Sequence, residues 1–198
     1  MNNHTERHPK NTPPQSVLDL EPGSTAADWH RHQNGGGWVY RAALVADTAY
    51  VGPSAVVYGA AVVSDNARIL DRAEVSGRAM VYWNAVVSGD ARICGDAWVF
   101  DNAKVFGSAK VFGNAEVFGN AEVGDDAWVS DYAEIFGFAK VSGRAVVHGN
   151  AMVSGYAKVG GAARIGGGAW ISGNVEIGDT AEVGGNAWVH GGEWKQKG

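Results

Sequence analysis

The chain has few of the features that mark disulfide-bonded, membrane or nucleic-acid-binding proteins. Cys94 is its only cysteine, so no intrachain disulfide can form, and we expect a reducing, cytoplasmic location. No stretch approaches the ~18 apolar residues of a membrane span, and the polar first ten residues lack the apolar segment of a signal peptide. A formal net charge of -5 gives no basic footprint for a phosphate backbone. We therefore expect neither a membrane nor a nucleic-acid polymer as a partner.

Glycine, in contrast, is abundant, with 29 residues, and its spacing reveals a repeat. Residues 43 to 192 divide into 25 hexads without insertion, from ALVADT to AWVHGG. The first position is alanine in 24 of the 25 hexads, with Val175 as the exception, and the third is valine or isoleucine in every hexad. Such self-similarity predicts a repeat fold.

Each hexad has the pattern of a short strand followed by a turn. The fifth position is glycine 16 times and aspartate 7 times, and both residues tolerate the left-handed backbone region. Positions one to four alternate inward and outward, which predicts a β-strand with one buried face. Three such strands close a triangular coil of 18 residues, and coils stack at the ~4.8 Å spacing of parallel strands. The run predicts just over eight coils.

Hexads such as AEVSGR, AMVYWN and AEVGGN make the chain resemble the bacterial hexapeptide-repeat superfamily. The resemblance implies a single-stranded, left-handed parallel β-helix and a homotrimer. Members of that superfamily include acyltransferases, carbonic-anhydrase-like enzymes and non-catalytic proteins, so the fold does not select the function. The expected fold class is all-β, a triangular solenoid of about eight coils with a short irregular or helical N-terminal cap.

The sequence divides into three parts: an arm and cap at 1–42, the hexapeptide-repeat β-helix at 43–192, and a tail at 193–198. Proline and polar residues in 1–23 predict a mobile arm. The segment STAADWHRHQ predicts one short helix with Ser24 as its N-cap. In the tail, Trp194 is expected over the core, while Lys195 and Lys197 discourage edge-to-edge pairing of strands. The alternative is that this end meets another chain.

Residues 18 apart should lie above one another, so the outward positions form columns along the coil axis. On the face that starts at Ala43 these columns are mostly apolar, and they include an aromatic ladder. An exposed stripe of this length predicts that this face and its neighbouring corner form a subunit interface, although aromatic columns also stabilise a solenoid by packing on themselves. The expected interface residues are Met80, Tyr82, Trp98, Phe100, Phe118, Phe136, Met152, Trp170 and Trp188.

His148 is the candidate catalytic residue. In the acyltransferases that the chain resembles, a histidine near a subunit cleft takes a proton from the acceptor, and His148 is outward with the small neighbours Ser130 and Gly166 in its column. Acetyl-CoA would be the cofactor in that case, and otherwise none is expected. A metal site is not expected, because His148 and His190 are 42 residues apart and the pair His30 and His32 precedes the repeat.

A third interpretation is a small nucleotide-like ligand in the clefts between subunits. Trp83 or Tyr156 would stack on its ring, and Arg72, Arg78 or Arg144 would meet an anionic group. The preferred hypothesis is nevertheless a non-catalytic, trimeric β-solenoid that serves as a rigid structural or binding module. Its basis is the uniformity of the repeat, since an active site normally comes with an elaborated loop.

Overall fold

Parallel strands coil around one apolar interior and form a three-faced solenoid of about nine turns. The computed structural model describes residues 12 to 193, with only the backbone of Glu193. The expectations for Trp194, Lys195 and Lys197 therefore lie outside the described residues. Each turn takes 18 residues, so the predicted fold class is confirmed.

Each of the three faces consists mainly of two-residue strands stacked in parallel. We number the faces 1, 2 and 3 in the order in which the chain crosses them from Ala43. Face 1 comprises β3 (Leu44–Val45), β6 (Val62–Val63), β9 (Met80–Val81), β12 (Trp98–Val99), β15 (Glu116–Val117), β18 (Glu134–Ile135), β21 (Met152–Val153), the start of β24 (Trp170–Ile177) and β26 (Trp188–Glu193). Face 2 comprises β4 (Tyr50–Val51), β7 (Arg68–Ile69), β10 (Val86–Val87), β13 (Lys104–Val105), β16 (Glu122–Val123), β19 (Lys140–Val141), β22 (Lys158–Val159) and the end of β24. Face 3 comprises β2 (Trp38–Tyr40), β5 (Val56–Val57), β8 (Glu74–Val75), β11 (Arg92–Ile93), β14 (Lys110–Val111), β17 (Trp128–Val129), β20 (Val146–Val147), β23 (Arg164–Ile165) and β25 (Glu182–Val183).

The core is built from the first and third positions of the hexads. From Ala49 to Ile171 every first-position alanine and every third-position valine or isoleucine is buried. Backbone bonds tie each coil to the next: the N–H of Met80 donates to the carbonyl of Ala97 at 2.9 Å, and the same bond recurs along all three faces. The side chains that remain outside are those of the second, fourth, fifth and sixth positions, and they decide what the surface can bind.

Aspartates at the corners have two roles: they adopt the backbone conformation of the turn, and they accept hydrogen bonds from the next coil. Six aspartates at the fifth position adopt positive φ, as the glycines there do. In five corners the aspartate Oδ2 also accepts the N–H of the residue 18 positions later, for example Asp101 from Gly119 at 2.9 Å and Asp125 from Gly143 at 2.8 Å. Aspartate therefore adds a side-chain bond between successive corners to the backbone bonds that the corner glycines also make.

The N-terminal cap differs from the helix predicted from Ser24. A helix of one turn, α1 (Gln15–Leu18), lies within the predicted arm, and residues Ala26–Asp28 form a short 3-10 helix. Asp28 accepts the Thr25 N–H in a capping box, but the chain then enters β1 (Trp29–Arg31), which pairs antiparallel with β2. The predicted helix is present only over Ala26–Asp28, with Thr25 in place of Ser24 as N-cap. From Trp29 the helix prediction is wrong, because β2 offers this part of the segment a sheet edge and sheet hydrogen bonds replace helical ones.

Both ends of the repeat depart from the predicted boundaries of 43 and 192. At the start, Trp38 pairs with Val56 in the 18-residue register, so the hexad GWVYRA is already part of the stack. At the end, the register shifts by one residue, and Val175 pairs with Gly192. The adjacent Gly191 and Gly192 both have positive φ, which lets the last corner turn with one residue fewer.

Candidate functional site

Face 1 is the most apolar surface of the solenoid, and the structure places all nine predicted interface residues on it. The second-position column pairs Met80 with Trp98 and Met152 with Trp170, followed by Trp188. These side chains are half-buried or exposed, with Trp188 exposed by 72%. The prediction that they face solvent on one side of a single chain is therefore met, while their contact with another copy stays a prediction.

The fourth-position column of face 1 is a continuous aromatic stack. Tyr82, Phe100, Phe118 and Phe136 stack with ring centroids 4.9 to 5.0 Å apart and planes within 4° of parallel. Trp83 lies edge-on to this ladder, 5.1 Å from Tyr82 and 5.9 Å from Phe100. The tryptophan that interrupts the corner pattern thus extends the aromatic surface of face 1.

Two carboxylates lie at the centre of this apolar face. Glu116 and Glu134 follow Trp98 in the second-position column and precede Met152. Partial burial raises the pKa of Glu116, and the charge of Glu134 raises it further. Any surface that covers face 1 must therefore desolvate two neighbouring acids of like charge.

The second-position columns of faces 2 and 3 are charged along part of their length. On face 2, Glu122 accepts from Lys140 at 2.8 Å and lies 3.7 Å from Lys104 on its other side. On face 3, Arg92 lies 3.3 Å from Glu74. Such exposed pairs contribute little stability each, but they keep both surfaces hydrated.

Two of the arginines predicted to meet an anionic ligand are already paired within the chain. Arg72 makes a two-pronged ion pair with Asp90 (2.6 and 2.8 Å), and Arg78 makes the same pair with Asp96. In both pairs the aspartate follows its arginine by 18 residues. The sequence carried this signal, because opposite charges 18 apart are vertical neighbours.

The structure does not gather the predicted ligand-binding residues into one site on a single chain. Trp83 and Tyr156 belong to the corner after face 1 and lie four coils apart. Arg72 and Arg144 belong to the corner after face 2, also four coils apart, and Arg78 belongs to the third corner. A ligand that touched all of them would have to be shared between chains.

His148 lies half-buried on face 3 beside a shallow depression that includes Arg164 and Glu182. Its Nδ1 is 4.0 Å from Asp131 Oδ2, an ion-pair distance longer than a hydrogen bond. A Cβ on Gly166 would come within 2.4 Å of Nε2, so the ring occupies the space that the glycine leaves. The small neighbours in the column therefore accommodate the imidazole, and Gly166 also lines the depression beside it.

The remaining described histidines are separated from His148. His190 Nδ1 is 2.9 Å from Ser172 Oγ at the end of face 1. His32 is buried in the N-terminal turn, and His30 lies on β1. Among residues 12 to 193, no three His, Cys, Asp or Glu side chains come together as metal ligands.

One groove was not recognised from the sequence. It runs along the edge between the corner after face 1 and face 2, and its wall is the stacked pair Phe138 and Tyr156, whose ring centroids are 5.0 Å apart. The sixth-position column, which holds asparagine in several coils, changes to these aromatics at Phe138. Reading that column past Asn120 would have found the pair.

Comparisons of the chain with protein-family models, with curated proteins and with solved structures found no match.

In the part of the chain that the structure describes, no helix has both the length and the apolar character needed to cross a bilayer. The parallel β-solenoid with its 18-residue coil is thus established by the structure alone.

Proposed function

We propose that the protein is a non-catalytic, rigid solenoid that assembles through face 1 as a homotrimer and serves as a structural or binding module. The observation that carries the proposal is the apolar surface of face 1, where the aromatic ladder stands beside a column of tryptophan and methionine that two glutamates interrupt. Monomeric proteins rarely expose an apolar patch of this extent. The trimer is what the resemblance of the hexads to the hexapeptide-repeat superfamily implies.

The dimensions of face 1 suit a stable interface. Its nine strands give a length of ~40 Å at the ~4.8 Å strand spacing, and four strand residues give a width of ~13 Å, hence ~500 Å² in projection. Side chains that stand out of the plane increase the accessible area beyond this value. The face thus approaches the ~800 Å² that each partner contributes to a standard interface.

Other features support a scaffold over an enzyme. The hexads run from 43 to 190 without a loop, and loops are where catalytic residues usually lie. Coils bonded to both neighbours make a stiff column, which suits a module that presents fixed surfaces. We propose no cofactor for this role, and the single cysteine favours work in the reducing cytosol.

The test compares tryptophans that differ in the face they occupy. Trp98, Trp170 and Trp128 all take the second position of a hexad and are 41%, 43% and 44% exposed, but only Trp128 lies on face 3. The double variant Trp98→Lys/Trp170→Lys should shift the mass measured by light scattering from the trimer to the 20.7 kDa chain. The control Trp128→Lys should remain trimeric.

The proposal is wrong in its choice of face if the control dissociates as readily as the double variant. If all three proteins keep the same mass, assembly uses another surface. Circular dichroism on each variant checks that the solenoid is intact, as expected for side chains outside the core.

Acyl transfer through His148 is the alternative function, and the contact between its Nδ1 and Asp131 at 4.0 Å is the observation in its favour. Under the scaffold proposal, acetyl-CoA leaves the melting temperature unchanged and is not consumed with hydroxyl or amine acceptors. If acetyl-CoA raises the melting temperature and His148→Ala abolishes transfer while the trimer persists, the protein is an enzyme. A nucleotide that stabilises the trimer and is recovered unchanged would favour the ligand-binding alternative.

A further inference from the structure

We propose that the groove beside Phe138 and Tyr156 binds an acidic saccharide, a chain of pyranose rings that bear carboxylates. The groove contains an exposed aromatic wall, two lysines bridged by a glutamate, and two asparagine amides. Its lining residues are Asn102, Lys104, Asn120, Glu122, Phe138, Lys140 and Tyr156. It opens toward face 2, so the proposal does not rest on assembly through face 1.

The wall is built to pack against a flat ring. Phe138 and Tyr156 are stacked with planes 6° apart, yet they remain 48% and 61% exposed. The mutual stack therefore leaves much of both rings uncovered. One side of a pyranose carries C–H groups that pack well on an aromatic ring, while its hydroxyls point outward from the edge.

The floor carries one net positive charge. Lys104 and Lys140 flank Glu122, at 3.7 and 2.8 Å. The hydrogen bond from Lys140 is the main reason that the pKa of Glu122 is lowered, so this carboxylate stays ionised and balances one of the two cations. Each ammonium has three donors, so both can meet a further carboxylate while they hold Glu122.

The asparagines complete the set of groups that sugars require. Asn102 and Asn120 are exposed in the two coils before Phe138, and each amide offers both a donor and an acceptor. Vicinal hydroxyls need this combination, since each hydroxyl donates and accepts. A column of amides in line with an aromatic wall thus matches an extended saccharide that lies along the coil axis.

A nucleotide fits the groove less well. Phosphate groups are bound best by the planar forks of arginine or by clustered backbone N–H groups, and the groove offers neither. A single net positive charge balances one carboxylate per ring better than a phosphate dianion. We therefore assign the carboxylate class of ligand.

The experiment titrates the whole chain by calorimetry with trigalacturonate, with the neutral sugar cellotriose and with adenosine monophosphate. We expect saturable binding of trigalacturonate that weakens as salt is added. The variants Phe138→Ala/Tyr156→Ala and Lys104→Gln/Lys140→Gln should each weaken it at least tenfold. Trp128→Ala, which removes an equally exposed ring on face 3, should bind like the unaltered protein.

Several outcomes would overturn the proposal. They are the absence of saturable trigalacturonate binding, equal affinity for cellotriose, and binding of the nucleotide alone. Undiminished binding by the Phe138→Ala/Tyr156→Ala variant would place the saccharide elsewhere. The altered side chains are exposed, so we expect the variants to keep the circular dichroism spectrum and the mass of the unaltered protein. These two controls distinguish a damaged groove from an unfolded chain or a dissociated trimer.

Discussion

Gly155 allows a test of the inference that aspartate links successive corners. Its φ is 67°, and a Cβ added there would lie 2.8 Å from the backbone nitrogen of Gly173 in the next coil. Gly155→Ala should lower the free energy of unfolding by ~1–2 kcal/mol because alanine must adopt the left-handed backbone conformation. Displacement of the next coil by the added Cβ should lower it further. Gly155→Asp places the same Cβ but adds an acceptor for the Gly173 N–H, as Asp101 does for Gly119.

A hydrogen bond to a charged group contributes ~1.5–3 kcal/mol, so the larger aspartate should be less destabilising than alanine by about that amount. Urea unfolding followed by circular dichroism, at one protein concentration, measures the difference between the two variants. Unfolding of Gly155→Asp at the same or a lower urea concentration than Gly155→Ala would show that the aspartate bond does not stabilise the corner. The reverse change Asp101→Ala removes the natural bond and should destabilise the solenoid by a similar amount.

Two further predictions concern the core and the carboxylates of face 1. Val117 is fully buried, so Val117→Ala should lower the free energy of unfolding, measured in urea, by ~2–3 kcal/mol through the loss of two methyl groups and the cavity that they leave. Val86 lies on the outside of face 2, and Val86→Ala should lower the free energy of unfolding by less than ~1 kcal/mol. Partial burial already raises the pKa of Glu116, and assembly through face 1 takes this carboxyl further from water, so its charged form is disfavoured and association should strengthen as pH falls. Sedimentation should show ~10-fold tighter association at pH 5 than at pH 7, and association that no longer depends on pH for Glu116→Gln. Tighter association at the higher pH would contradict the placement of these carboxylates in the interface.

The repeat made the solenoid predictable because its period fixes both the strands and their vertical neighbours. Residues 18 apart do pair, so the columns of face 1 and the stack from Tyr82 to Phe136 follow from counting. The same count would have identified the pairs of Arg72 with Asp90 and Arg78 with Asp96, which were instead expected to meet a ligand.

The ends could not be predicted because they depend on contacts outside the repeat. Trp29–Arg31 is a strand only because β2 lies beside it. The secondary-structure propensity of these residues carries no information about that neighbouring strand. The hexad from Gly37 was overlooked because glycine replaces the usual alanine and Arg41 replaces the corner glycine or aspartate. The closing shift at Gly191 depends on two consecutive residues with positive φ, a choice of backbone that glycine allows but does not dictate.

The candidate groove required the structure because its function depends on which side chains remain uncovered. Residues 18 positions apart in the sequence lie in adjacent coils, which places Phe138 next to Tyr156 and Lys104 next to Glu122. This count does not show that the rings stack and stay exposed. It also does not show that Lys104 and Lys140 share one carboxylate, which sets the charge of the groove.

Sedimentation equilibrium of the unaltered chain at neutral pH is the most direct test of assembly through face 1. We expect a single species of about 62 kDa, three times the 20.7 kDa chain, that persists at low micromolar concentration. A particle of 20.7 kDa at tens of micromolar would contradict it, because the apolar surface of face 1 would then stand exposed in water without a partner.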